Sequence, residues 1–270
     1  MIMPIKILCL GDIVGKPGRQ VIAELLPPLL KERGIDFVVA NAENSAAGSG
    51  LTPPVFEKLL SYGIDVCTLG DHAFRKRDIL PVLEQSDRVI RPANYPPGAV
   101  GKGFTIVTSR GGVKIAVIQI LGRMHMNPPG DDPFRTADRL LAELPRDVKV
   151  RIVEYHAEMS SEKIAMGWHV DGRASVNYGT HTHVPTADAR VLPGGTAYVS
   201  DLGMTGPYDS VLGRRKDRVL KFLTTGMPAH FEVATGDPRM CGILATVDEN
   251  SGLALSVERC DLKGLSLIHI

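Results

Sequence analysis

Aromatic residues are scarce in this chain of 270 residues, at 5% with a single tryptophan, and no apolar run reaches the roughly 18 residues that a spanning helix needs. Membrane insertion through a helix is excluded on that count. Charge of one sign is missing as well, since 31 lysines and arginines stand against 30 acidic residues. Without a basic field to hold a long phosphate backbone, an extended nucleic-acid duplex is excluded as a partner. A nucleotide substrate, if there is one, is expected to be small. Cysteine is limited to Cys9, Cys67, Cys241 and Cys260, which are far apart and form no CxxC pair. That usage fits buried, reduced thiols and a cytoplasmic location. The apolar start, residues 1–10, has no basic n-region and no small-residue cleavage site, so it reads as a first strand rather than a leader. Internal repeats and low-complexity segments are also lacking.

What is present is the composition of a soluble globular protein, 44% hydrophobic and 23% charged. In the first half, short β-branched runs alternate with amphipathic stretches. Strands are expected at 5–10, 37–40 and 66–69 and helices at 18–33, 53–62 and 76–85, a spacing that implies βαβ crossovers and a mostly parallel sheet. From residue 104 the pattern changes. Runs at 104–108 and 113–120 flank Ser109-Arg110-Gly111-Gly112 and read as a hairpin that opens a second sheet. Further strands are expected at 150–154, 174–178 and 196–200, a short helix at 160–166, and a closing antiparallel meander at 231–234, 242–247 and 253–258. Residues 92–103 and 124–133, rich in proline and glycine, read as ordered loops crossing between sheets. The expected architecture is α/β, two sheets packed face to face with helices outside, in one domain spanning 1–270.

Ligands of parallel sheets collect at the carboxyl ends of the strands. Carboxylates and imidazoles recur at those ends: Gly11-Asp12, then Asn41-Ala42-Glu43-Asn44 and Gly70-Asp71-His72, then His156 and Gly179-Thr180-His181-Thr182-His183. Asp12, directly after a strand, either ligates a metal or caps the next helix. Glu43 follows the apolar run 37–40 and sits between Asn41 and Asn44, a poor place for a merely solvated charge, and its two oxygens can bridge two cations. Asn44 supplies an amide oxygen or is a turn residue. Asp71 offers a carboxylate ligand; His72 beside it reads as a proton donor, because adjacent side chains rarely point at one ion. His181 and His183, two apart in an extended segment, would face one site as a ligand pair. His156 adds a third imidazole.

This mixture of carboxylate, amide and imidazole suits Mn, Fe or Zn better than Mg or Ca, which favour oxygen shells. Two such ions would lower the pKa of a water and clamp phosphoryl oxygens, with His72 protonating the leaving oxygen. The chemistry expected is metal-assisted phosphoester hydrolysis. His125, His169, His230 and His269 stand without acidic or imidazole neighbours in sequence and read as packing or surface residues. Gly213-Arg214-Arg215-Lys216 is either a solvated face or an anion-steering run, and the turn-rich 203–209 stretch would line the pocket. Residues 11–18 imitate a phosphate-binding P-loop, but the glycine spacing is one residue short and Pro17 stands where Ser or Thr should be. A nucleotide triphosphatase is excluded.

With these segments the chain resembles the calcineurin-like metallophosphoesterases, and more closely the bacterial YmdB family within them. Arg91-Pro92-Ala93-Asn94, Asp131-Asp132-Pro133-Phe134, His156-Ala157-Glu158 and Gly203-Met204-Thr205-Gly206-Pro207-Tyr208 extend the match nearly end to end. The resemblance implies a four-layer αββα sandwich of two mixed β-sheets and two metal ions, iron or manganese, acting on cyclic nucleotides such as 2′,3′-cyclic AMP. It implies that one metal takes Asp12, Glu43, Asn44 and His183, and the other Glu43, Asp71, His156 and His181, with His72 as the proton donor. It is also consistent with a homo-oligomer. The chain departs from the close family's usual Gly-Asn-His at Gly70-Asp71-His72, where an extra negative charge should tighten divalent-cation binding and weaken the pull on an anionic substrate. Two other readings use the same residues: a phosphomonoesterase of the nucleotidase kind, and a regulatory module that binds a cyclic nucleotide or RNA end with little turnover, to which Asp71 and the apolar tail at 265–270 would belong. A mononuclear hydrolase ranks lower, since the polar cluster from Asp12 to His183 exceeds what one ion accepts.

Overall fold

The computed structural model describes residues 4–264. Along the chain run β1 (Pro4–Leu10), β2 (Asp12–Ile13), α1 (Gly15–Arg33), β3 (Phe37–Asn41), α2 (Pro53–Ser61), β4 (Val66–Thr68), α3 (Leu80–Gln85), β5 (Val89–Ile90), β6 (Phe104–Thr108), β7 (Lys114–Leu121) and α4 (Pro133–Glu143). They are followed by β8 (Val150–His156), α5 (Ser160–Val170), β9 (Val176–Thr180), β10 (Arg190–Val191), β11 (Ala197–Val199), β12 (Met204–Pro207), α6 (Lys216–Thr225), β13 (Pro238–Asp248) and β14 (Ala254–Lys263). The first sheet runs β2-β12-β13-β1-β3-β4-β5, with β14 on the other edge of β13; the second runs β10-β11-β9-β8-β7-β6.

Both sheets are mixed. β1, β3, β4 and β5 are parallel, whereas β13 lies antiparallel to β1, pairing Pro4 with Asp248 and Leu10 with Gly242. In the second sheet β7, β8, β9 and β11 are parallel and the hairpin strand β6 is antiparallel to β7. All the parallel ends carrying polar residues therefore open toward one rim of the molecule.

Alternation along each strand separates three apolar layers. Ile7 and Cys9 of β1, Phe37 and Val39 of β3, Val117 of β7, Ile152 of β8 and Val176 of β9 meet between the sheets. Leu8, Leu10, Val38 and Ala40 turn the other way, onto Ile22 and Leu26 of α1 and Phe56 and Leu59 of α2. On the far side, Ala116, Ile118 and Val153 pack on Leu140 and Leu141 of α4 and Met166 of α5. Helix, sheet, sheet, helix is thus the order of layers, and the four-layer αββα expectation holds.

Several local readings needed correction. Residues 231–234 form no strand, and Val233 makes only an isolated bridge; β13 and β14 pair antiparallel as the closing meander requires, but the other side of β13 is taken mainly by β1, a pairing across most of the chain that local pattern does not reveal. Helix α4 begins at Pro133, the end of what reads as a loop, where Asp132 accepts from the backbone N–H of Phe134 and Arg135. An Asp cap with proline at the first helical position was the available signal. Met204–Pro207 is a strand rather than a loop. Cys9, Cys67 and Cys241 are buried and Cys260 partly so, all with free thiols. The apolar tail at 265–270 and His269 lie outside the described residues. Among the described residues no helix is long and apolar enough to cross a membrane.

Candidate metal centre

Asp12 does not cap α1, whose N-cap is Val14 with no side-chain bond. Its carboxylate is wholly buried: Oδ2 accepts from the His181 backbone N–H at 3.1 Å, while Oδ1 has no hydrogen-bond partner among the described residues. Burial first, aided by the Glu43 and Asp201 carboxylates and opposed by His156, pushes this group up to about 7. An orphaned buried carboxylate oxygen is costly unless a cation answers it.

Glu43 and Asn44 follow β3, and Asp71 and His72 follow β4. Gly70 is required there, because a Cβ at that position would stand 2.3 Å from the His156 ring. Ligand atoms of Glu43, Asp71, His156 and His181 lie within 4.8 Å of one another. His156 Nε2 is 3.1 Å from Asp71 Oδ1, 3.3 Å from Glu43 Oε1 and 3.1 Å from His181 Nδ1. Asp12 and His183 form the adjoining lobe, with His183 Nε2 3.7 Å from Asp12 Oδ1 and 3.3 Å from Asn44 Nδ2, and Asn44 Nδ2 in turn 3.3 Å from Glu43 Oε1. All seven expected residues are therefore brought together, with Glu43 between the two lobes, but Asn44 turns its amide nitrogen toward His183 and Glu43 and its oxygen toward His72. His72 stands at the rim, a quarter exposed, with Nδ1 2.9 Å from Asn44 Oδ1 and Nε2 3.6 Å from Asp71 Oδ2.

The His-Thr-His segment reaches the site in an unexpected way. It is not extended: His181 and His183 have φ of 96° and 63°, the left-handed region that non-glycine residues avoid. Asp201 holds this turn, accepting from the Thr182 hydroxyl at 2.7 Å and the Gly203 N–H at 2.7 Å, and is itself paired with buried Lys163 at 2.6 Å. Strain of this kind persists where surrounding contacts over-determine it, as at functional sites.

Electrostatics favour cations here. Burial opposes charge on His156, but Glu43 and Asp71 outweigh it and hold the imidazole protonated well above its ordinary range. Burial likewise works against the anions, yet the neighbouring imidazoles leave Glu43 lowered and Asp71 strongly lowered. His183, by contrast, is kept neutral by burial. Each of these three imidazoles also has its outer nitrogen tied: His183 Nδ1 to the Leu212 carbonyl at 3.1 Å, His181 Nε2 to Glu158 at 3.2 Å, and His156 Nδ1 to the Thr180 hydroxyl at 2.8 Å. Tying one nitrogen and aiming the other inward is the arrangement of metal-ligating histidines. The donor set and the orphaned Asp12 oxygen both fit metal ions.

Sequence reading missed Glu154. Fully buried at the end of β8, it accepts from Asn41 Nδ2 at 2.7 Å, Thr180 Oγ1 at 2.8 Å, Tyr178 OH at 3.2 Å and the Thr68 hydroxyl. Because the Thr180 hydroxyl donates to Glu154, it can only accept from His156, which turns His156 Nε2 inward. A glutamate amid an apolar strand, two residues before His156, was the signal. His169 bears out its surface reading, with Asp138, distant in the sequence, at 2.9 Å on the surface. In the basic run, Arg215 pairs with Asp217 and Glu232 and Lys216 with Asp209 on a solvated face, whereas Arg214 is only partly exposed and donates to the Gly48 and Phe231 carbonyls.

Residues 8–260 match the model of the family described as YmdB-like protein. A Bacillus subtilis protein named 2′,3′-cyclic-nucleotide 2′-phosphodiesterase is 43% identical over 94% of this chain and 96% of its own length. A Thermus thermophilus crystal structure, described as that of a hypothetical protein, superposes with a TM-score of 0.90 at 39% identity over 96% of this chain and 99% of that one. A Mycoplasma pneumoniae structure, described as that of a novel phosphatase, gives a TM-score of 0.91 at 33% identity, covering 97% of this chain and 95% of that one. With the fold, the converging strand ends and these matches agreeing from end to end, the chain belongs to the YmdB-like protein family.

Proposed function

We propose that this chain, as one metallophosphoesterase domain, is a dinuclear-metal phosphodiesterase that hydrolyses small cyclic nucleotides such as 2′,3′-cyclic AMP. The observation that carries the reading is the pair of adjoining lobes sharing Glu43, one of them holding the partnerless Asp12 oxygen. The activity named for the Bacillus subtilis relative supports it. Asp12, Glu43, Asn44 and His183 would hold one ion, and Glu43, Asp71, His156 and His181 the other. The donor chemistry favours Fe or Mn, with Zn also suited. Bound ions supply Lewis acidity there, lowering the pKa of a water and neutralising phosphoryl oxygens.

The protein's own groups do the rest. Buried walls around Asp12, Glu43 and His156 exclude bulk water and strengthen every charge interaction inside. His72 holds its ring by Nδ1 against Asn44, which leaves Nε2 as the nitrogen that carries the proton to the departing ribose oxygen as the P–O ester bond breaks.

The deciding experiment is 2′,3′-cyclic AMP hydrolysis with added manganese for wild type beside Glu43→Gln. A loss exceeding the roughly 10–100-fold typical of outer-shell changes is expected. A manganese-loaded wild type without turnover, or a variant of undiminished rate, would sink the reading. The likeness to the Mycoplasma pneumoniae phosphatase favours a second one, phosphomonoester hydrolysis at the same centre. Faster turnover of adenosine 3′-monophosphate than of the cyclic diester would select it.

Glu154 provides an independent check on the centre. Glu154→Ala should weaken manganese binding by about 10–100-fold in calorimetric titration, because His156 loses the relay that orients it. Unchanged affinity would show that the relay is idle.

A further inference from the structure

A cavity of about 340 Å³ opens beside the metal centre, lined by Asp71, Phe74, Arg75, Tyr95, Asn127 and Pro128. We propose that it is the subsite for the nucleobase of the substrate, an inference that rests on the cyclic-nucleotide reading above.

Position is the first ground. Asp71 borders both spaces, reaching His156 at 3.1 Å on one side and His72 Nε2 at 3.6 Å on the other. Residues 70–75 form one continuous turn, with Ala73 N–H bonded to the Gly70 carbonyl and Arg75 N–H to that of His72. A nucleotide whose phosphate lies at the cluster and whose leaving oxygen meets His72 has its ribose at this turn. Its base, one sugar ring further on, enters the cavity.

The lining is the second ground. Phe74 is 37% exposed, and its ring is tilted 32° to that of Tyr95 with centroids 5.9 Å apart, so an aromatic surface faces the opening. Such a surface takes the π-face of any base. Asn127 adds an amide donor and acceptor for a base edge. The Arg75 guanidinium has no hydrogen-bond or ion-pair partner among the described residues, and it supplies positive charge beside a site otherwise rich in carboxylates. Aromatic walls, an amide and an unpaired guanidinium together describe a nucleotide's base and its charge. They do not describe a simple phosphate ester.

The test compares 2′,3′-cyclic AMP with glycerol 1,2-cyclic phosphate, a five-membered cyclic phosphate without a base, on manganese-loaded wild type, Phe74→Ala and Phe74→Tyr. In Phe74→Ala the preference for the nucleotide, as a ratio of kcat/KM, should fall about tenfold, carried by KM, and Phe74→Tyr should restore it. Binding of adenosine 3′-monophosphate, measured calorimetrically, should weaken about tenfold in the same variant. An unchanged ratio with unchanged nucleotide binding overturns the subsite. A wild type that turns over neither ester overturns the phosphodiesterase reading, and the adenosine 3′-monophosphate titration then decides the subsite alone.

Discussion

Replacing His72 by alanine is expected to lower kcat for 2′,3′-cyclic AMP by about 10²–10⁴-fold, the usual worth of a positioned general acid. Bound manganese should stay at the wild-type level, since no proposed ligand is removed. A ribose alkoxide leaves poorly without a proton, and Nε2 of His72 stands at the rim, 3.6 Å from Asp71 Oδ2, while Nδ1 is held against Asn44. The effect must therefore depend on the leaving group. With a p-nitrophenyl diester, whose phenolate departs as a stable anion, the deficit should shrink substantially. Equal deficits on both esters would show that His72 acts through the metals or the fold rather than by donating a proton. A sensor with little turnover would display no deficit at all, which separates that reading from an enzyme.

Lys163→Met should have the largest effect on stability. Lys163 Nζ lies 2.6 Å from Asp201 Oδ2, and the two side chains are only 3% and 1% exposed. Removing the cation leaves a buried carboxylate without its counter-charge, a change that costs about 3–5 kcal/mol. At about 2–4 °C per kcal/mol for a chain somewhat shorter than this one, the melting temperature should drop by roughly 10 °C. Asp201 also holds the turn bearing His181 and His183, so manganese affinity should fall in the same variant. Adding Asp201→Asn removes the stranded charge but keeps an acceptor for the Gly203 N–H, and should recover much of the stability. A single variant as stable as wild type would mean that water reaches Asp201.

The residues of the polar cluster were legible because the signals that announce them are local. A β-branched run followed by glycine and a carboxylate marks the end of a parallel strand, and the alternation of strands and helices places those ends on one rim. Asp12 and Asp71 could be found that way, Glu43 and His156 as polar residues closing an apolar run without a glycine, and the same periodicities yielded the two-sheet architecture. The pairing of β13 with β1 was not legible, nor was the absence of a strand at 231–234, because either depends on which distant strand competes for the edge.

By itself the sequence determined which chemical groups stand at the strand ends and the alternation of strands and helices through the first half of the chain, since both follow from patterns within a few residues. Tertiary structure alone decided how those groups are used. Glu154 gathers donors from residues 113 and 86 positions away, Asn41 and Thr68, and only that convergence makes it an anchor for His156. The inward nitrogen of each imidazole is chosen by Leu212, Glu158 and Thr180, again through contacts that no local pattern specifies. The left-handed backbone at His181 and His183 is held by the buried Asp201–Lys163 pair, and the aromatic cavity forms where the turn after β4 meets Tyr95 and Asn127. Composition and spacing set the donors; burial and long-range hydrogen bonds set their charge, tautomer and aim.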